Sequence, residues 1–532
     1  MDNMSTIPDS NTKIVAPPPH PFDVRMSIGL VGVLLAAMMA GLNGRIPSLV
    51  LIDIQGGVGF SKDSISWLTT AYSAGELTAM PFATWFAITF SIRRFHLIML
   101  LSSMFLSILL PFVQDLQLLI LLRFIHGIAS GSLIPLLMTS LLRFMPLSIR
   151  LYGLAIFALV ATFTPNIALW IASWCVDHLE DWRWVYWHVV LLGFIAIPMV
   201  AWGIPKMPSM LSRLQQANWF SLLLGIPGLT LLVIGIDQGV RLDWFHSPII
   251  IISLSMGTLL TILFLLNEVL SKSSSPFVQL KLLQRRNVGL GLPIFFFVFM
   301  LFVPGVTLPA NILGNLQGFR MEQSLTLGLM VGLPQLILGP CVAYMLFQKW
   351  ADPRYVFSVG LIFIVIGCGI ASNLTSNWMV EQFMWAEILQ MIGQPLALIP
   401  LLFLITSVVD PMEGPYIAGL INILRVISTT IASAIVGQLS LTRSHFHSEM
   451  LLDNAGRLLP NLPQPNMFES SQLGQIVVQQ AATKASADIY LMFCVVALLL
   501  IPVVLKLQYV SPPEVKHTKP KPSVALQNAT LN

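Results

Sequence analysis

Five charged side chains, Arg45, Glu76, Arg123, Glu387 and Arg425, stand inside long apolar runs of this 532-residue sequence. A charge at membrane depth costs at least a few kcal/mol unless it is paired or meets water, so each of the five marks an ion pair or a pathway. A carboxylate held between burial, which favours its neutral form, and a nearby cation, which favours its anion, loads and releases a proton as its surroundings move. That proton chemistry is what these residue types offer. Chemistry on covalent bonds has no support, because the sequence carries no nucleotide-binding glycine-rich loop and no H-E-x-x-H helix, so no enzyme is expected.

Counted inward at about 1.5 Å per residue, Arg45 and Arg123 lie roughly 10 Å deep and Glu76 roughly 18 Å deep. Long arginine stems can cover that offset. Glu76 is therefore the expected proton-coupling carboxylate, with Arg45 and Arg123 as its candidate partners; a permanent ion pair that only fixes helix packing is the alternative. A second group lies further along the chain. Glu387, Gln390 and Gln394 recur at i, i+3 and i+7, which puts them on one helix face, and Asn422, Arg425 and Thr429 repeat the spacing. Together with Asn43 these side chains read as substrate-binding residues on a wet cavity wall, against the plainer reading of interhelical hydrogen bonds. Three buried arginines against two buried glutamates favour an anionic or zwitterionic ligand, because buried like charges are mutually costly.

Such residues need helices to hold them at depth. Of the chain 56% is hydrophobic and 10% is charged, whereas a soluble domain carries roughly 25% charged residues. The net charge of +4 is scattered between apolar runs, with no basic block to bind nucleic acid. Cys175, Cys341, Cys368 and Cys494 are far apart and lack metal-ligand spacing, while His445, His447 and Glu449 form only a weak cluster, so no metal is expected. Fourteen apolar runs are long enough to span a bilayer: 26–51, 65–90, 97–114, 116–142, 151–175, 187–205, 218–236, 248–269, 288–313, 325–347, 355–372, 379–408, 415–440 and 488–508. If the N-terminus is cytoplasmic, the inner loops and tails hold eighteen Lys and Arg and the outer loops seven, which sets the orientation. The expected organisation is an N-terminal cytoplasmic tail (1–25), a six-helix bundle (26–205), two linker helices (218–269), a second six-helix bundle (288–508) with a long outer loop (441–487), and a cytoplasmic C-terminal tail (509–532). Within that outer loop "VVQQAATKASA" reads as a helix leading into the last span.

The motifs carry a family resemblance. "LLRFIHGIASGSLIP" resembles the major facilitator motif of an arginine followed by glycines, with Arg123, Gly127 and Gly131 matching and His126 in place of the usual glutamine. "TFTPNIALWIASWCVDHLEDWRWVYW" is similar to the antiporter motif and keeps Pro165, Trp182, Arg183 and Trp184. "IDQGVRLDWF" is similar to the loop between the two extra spans of the fourteen-span EmrB/QacA-like drug:proton antiporters. "FAITFSIRRF" has Ile88 where that family carries an aspartate and keeps Arg93 and Arg94. The resemblance implies an all-α major facilitator fold of two six-helix bundles plus two central helices. It also implies proton-coupled efflux of amphipathic molecules by alternating access, in a cell inner membrane, with the proton gradient as energy source and no cofactor. Gating or structural roles pass to Arg93, Arg94, Gly127, Gly131, Pro165, Trp182, Arg183 and Trp184. A periplasmic adaptor and an outer-membrane channel are candidate partners, and siderophores or carboxylated metabolites are candidate substrates. A transport-deficient receptor or scaffold on the same fold is the competing reading.

Overall fold

Long apolar runs become helices because a backbone without water must satisfy its polar groups internally. The structure, a computed structural model, describes residues 22–271, 275–458 and 467–512, and among these it contains helices and no strand. In chain order they are α1 (Val24–Leu49), α2 (Leu51–Val58), α3 (Lys62–Phe90), α4 (Ile92–Leu109), α5 (Leu116–Gly131), α6 (Leu133–Phe144), α7 (Arg150–Thr162), α8 (Thr164–Ser173) and α9 (Trp184–Gly203). There follow α10 (Arg213–Gln216), α11 (Trp219–Asp237), α12 (Pro248–Leu270), α13 (Arg286–Gln317), α14 (Met321–Gly332), α15 (Gln335–Leu346), α16 (Pro353–Ala371), α17 (Val380–Thr406), α18 (Gly414–Leu458) and α19 (Met467–Val504).

Polar caps set several starts. Asp23 accepts from the Met26 amide at the head of α1, Ser61 from Ser64 at α3, and Asp115 from Leu118 at α5. Each satisfies an amide the helix cannot reach. Gly59 and Gly318, both left-handed, stop α2 and α13.

Among the described residues twelve helical stretches are long and apolar enough to cross a bilayer, thirteen when α7 and α8, bent by 41°, are taken as one span. The remaining expected run, 65–90, is covered by α3, which is 29 residues long but not apolar enough to be counted with them. Pro165 lies in the first turn of α8, where its missing amide breaks the helix ladder at the bend. The expected long outer loop 441–487 is corrected. α18 runs on to Leu458 and α19 begins at Met467, so much of that stretch is two helices projecting past the bilayer. The 45 residues of α18 reach roughly 70 Å, about twice the hydrocarbon thickness. The helical reading of "VVQQAATKASA" holds. Most of the expected tails, and residues 459–466 of the outer loop, lie outside the described residues.

α1, α4, α5, α6, α8 and α9 pack among themselves, and so do α13, α16, α17, α18 and α19. The two groups meet where α3 and α6 touch α18, where α7 touches α15 and α17, and where α8 touches α14. α11 packs on α12 and also on both α3 and α18, closing the seam between the groups from one side. At the end where α19 finishes, Arg286 donates to the Lys506 carbonyl, and a pocket of about 170 Å³ lies between Leu147, Arg150, Phe403 and Val510. We call this end the termini face.

Candidate functional site

α3 brings Glu76 to the seam, and its position depends on glycines of the neighbouring helix. A Cβ at Gly127 would fall 2.2 Å from the Tyr72 carbonyl, and one at Gly131 would fall 2.6 Å from Glu76 Cα. Only glycine lets α5 approach α3 this closely, which is the physical content of the Arg-Gly-Gly spacing. Glu76 Oε1 accepts from Arg425 Nη2 at 2.8 Å, and each side chain is 14% exposed. This corrects the expected pairing with Arg45 or Arg123. The bridge joins α3 of the first group to α18 of the second. Along the same seam lies an apolar cluster of Ala74, Leu77 and Met80 on α3, Val426 on α18, and Leu229 and Val233 on α11. Thr230 of α11 also hydrogen-bonds Thr78 of α3 at 3.1 Å.

Arg123 is fully enclosed and has no carboxylate partner among the described residues. It donates to the Asn43 carbonyl at 2.8 Å and to His126 Nδ1 at 3.0 Å, and its guanidinium lies 4.4 Å from the Tyr72 ring centre. His126 Nε2 then meets Ser107 Oγ at 3.1 Å. Since Arg123 can only donate, Nδ1 accepts and Nε2 carries the proton. Histidine here supplies a neutral acceptor to Arg123. The Asn43 amide donates to Ser103 and Ser130, both at 3.2 Å, so it faces the inside of the first group. Its expected place on a substrate surface is corrected accordingly.

Arg45 sits apart from Glu76. It borders a cavity of about 350 Å³ on the far side from the termini face, with Asn311 and Asn315 of α13 and Ser433, Ser440 and Ser444 of α18. Arg45 is the one charged residue among the described residues lining it, and its Nε is enclosed without a partner. Glu387, Gln390 and Gln394 are 2%, 2% and 1% exposed and do not line this cavity. Their shared helix face is turned into the second group, where Gln390 Nε2 contacts Cys368 Sγ at 3.4 Å. Asn422 donates to the Ala418 carbonyl of its own helix and is likewise buried. Of that second expected stripe, Arg425 alone reaches the first group.

The remaining motif residues lie at the ends of helices. Arg93 donates to the Ile204 carbonyl, tying the start of α4 to the end of α9, and Arg94 is exposed. Trp182 covers Gly57, where a Cβ would strike its ring nitrogen at 2.0 Å; Arg183 lies 3.8 Å from Asp181; Trp184 stacks edge-on with Trp187. His447 and Arg443 both bond Asp488, at 2.8 and 2.7 Å, bracing α18 against α19. No group of three metal-ligating side chains occurs among the described residues.

Sequence reasoning missed the polar contacts of α11. Asp237 bonds Thr70, Gln238 also reaches Thr70, and Trp244 donates to Gln438 of α18 at 2.7 Å. The signal was the Asp-Gln pair at the end of an apolar run, which reads as an ordinary loop start unless the facing helix is known.

Two helix groups that meet along a seam, with an ion pair across it and a cavity on one side, suit a multispan membrane transporter. The chain belongs to the Major Facilitator Superfamily, whose family model matches residues 33–433. It is 23% identical over 438 residues to the multidrug export protein EmrB of Escherichia coli K12, covering 82% of this chain and 84% of that one. To the fatty acid resistance protein FarB of Neisseria gonorrhoeae it is 23% identical over 494 residues, covering 90% of this chain and 95% of that one. The proton:xylose symporter XylE shares the fold, with a TM-score of 0.56 at 11% identity over 92% of this chain and 97% of that one. The protein is thus a multi-pass membrane transporter of the superfamily, homologous to multidrug efflux proteins, and not an enzyme.

Proposed function

We propose that the protein is a proton-coupled exporter of amphipathic carboxylates, working by alternating access between its two helix groups. The observation that carries this is the Glu76 to Arg425 bridge across the seam. Protonating Glu76 removes one charge of the pair, leaves Arg425 without its counter-ion and lowers the cost of parting α3 from α18. Arg45, the single charge among the described residues of the cavity lining, receives the anionic end of the substrate, while Asn and Ser side chains accept and donate around it. The name of FarB, fatty acid resistance protein, fits a ligand of that chemistry.

In this reading the protein sits in the cell inner membrane with both termini cytoplasmic, as the Lys and Arg asymmetry favours. The proton gradient supplies the energy and no cofactor takes part. A periplasmic adaptor and an outer-membrane channel complete the export route, with the two projecting helices 441–458 and 467–487 on the side where an adaptor would meet them. The fourteen-span count and the division into six, two and six belong to the same reading. The residues assigned to coupling are Glu76 and Arg425.

The test is substrate-induced proton flux in proteoliposomes, wild type against Glu76→Gln, over a panel of fatty acids, other carboxylates and lipophilic cations. Carboxylates should drive flux in the wild type and none in the variant. Flux driven by cations alone, or a variant equal to wild type, would reject the reading.

A further inference from the structure

The largest set of buried polar atoms without partners lies inside the second helix group, away from the Glu76 bridge. Glu387 Oε2, Gln390 Oε1, both amide atoms of Gln394 and the Tyr490 hydroxyl are all enclosed and lack a hydrogen-bond partner. Buried polar atoms ordinarily find partners, and an enclosed carboxylate without one has to be neutralised. No described cation lies within ion-pair distance of Glu387. The titratable groups that face it are Cys368 on α16 and Tyr490 on α19, with Cys494 beside Cys368. α13 presents Gly305, and α15 presents Gln335, whose amide is spent on the carbonyls of Val331 and Met391. No charged side chain of α7, α13, α14 or α15 pairs with Glu387 among the described residues.

The need of Glu387 itself is met by one proton. A carboxylate left charged in this enclosure would be uncompensated, whereas a proton on Oε2 neutralises it and supplies a donor. Gln390, one turn away on the same face of α17, carries an orphaned acceptor within reach of that donor. Between Gln390 and the Arg45 cavity stands α13. Gly305 lies between Val303 and Thr307, both of which line the Arg45 cavity, and a Cβ at Gly305 would come within 3.3 Å of the Gln390 side chain. Gly305 is thus on the side of α13 that meets Gln390, while Val303 and Thr307 are on the side that meets the cavity.

We propose that Glu387 is a second proton-binding site, enclosed in the second helix group and loaded from the cavity past Gly305 and Gln390. A proton leaves a cavity hydronium ion, which becomes water, and forms the O–H bond on Oε2, turning carboxylate into neutral acid. Its part in transport, an additional proton moved per substrate, rests on the exporter reading above; its existence does not.

The experiment is infrared spectroscopy of the purified full-length protein at neutral pH, following the carbonyl stretch of buried protonated carboxyls. Wild type and Glu76→Gln should both show a band that Glu387→Gln lacks. A band unchanged in Glu387→Gln, or none in the wild type, overturns the site whatever Glu76 does. Gly305→Ala serves where Glu387→Gln does not fold. It should keep the band but slow its hydrogen to deuterium exchange several-fold, and unchanged exchange overturns the proposed route. In proteoliposomes, Glu387→Gln should move fewer protons per carboxylate exported than the wild type, and an equal count rejects the transport role. Loss of flux in Glu76→Gln bears on the exporter reading alone, so the two ideas fail separately.

Discussion

Arg45 and Arg123 are both arginines near the same depth, yet their surroundings give them different tasks. Arg123 is bound by a carbonyl, a histidine and aromatic faces, so it has little capacity left for a ligand. Arg45 faces the cavity with donors to spare. Replacing Arg45 by Gln should raise the KM for carboxylate substrates about tenfold, the equivalent of one charge-assisted hydrogen bond, while leaving cationic or neutral compounds unaffected. Transport kinetics on a matched acid and amide pair would check this. For His126 the expectation is different. His126→Gln keeps an acceptor for Arg123 and should fold and transport like wild type. His126→Leu strands a buried donor and should lower stability by about 1–3 kcal/mol, read as a drop in unfolding temperature in detergent.

Among the elements, the contact of α5 with α3 decides where the coupling carboxylate stands. Gly131 lies against the Glu76 backbone, which cannot yield as a flexible side chain would. Gly131→Val should force the helices apart, cost about 1–3 kcal/mol and abolish proton coupling, because Glu76 would lose register with Arg425. Gly456→Ala is the control: a Cβ there meets nothing, and stability and transport should be unchanged. α11 adds a second element-scale effect. It spans the seam between α3 and α18 and adds Leu229 and Val233 to the apolar cluster there.

In the whole molecule, the groups touch at the termini face while the Arg45 cavity lies on the opposite side. A Cβ built at Gly414 of α18 lies 3.4 Å from Leu142 Cβ of α6, close to the separation a disulfide needs. Leu142→Cys with Gly414→Cys should therefore cross-link on oxidation, stop transport and recover on reduction. Transport that continues in the fully cross-linked protein would show that this face need not open.

The sequence by itself determined that this chain spans a membrane many times as helices, because apolar run length and the cost of unpaired backbone in lipid leave no other solution. It also singled out the side chains too costly to bury without purpose, and the glycine spacing that lets α5 approach α3. Helix periodicity placed Glu387, Gln390 and Gln394 on one face but could not say which neighbour that face meets. Glu76 and Arg425 are 349 residues apart, and their meeting depends on the rotation and vertical register of two helices from different groups. Those quantities follow from how all the helices pack together. Apolar stripes are weak guides to rotation here, since lipid and the protein interior are equally apolar, so only the tertiary structure chose Arg425 over the two nearer arginines.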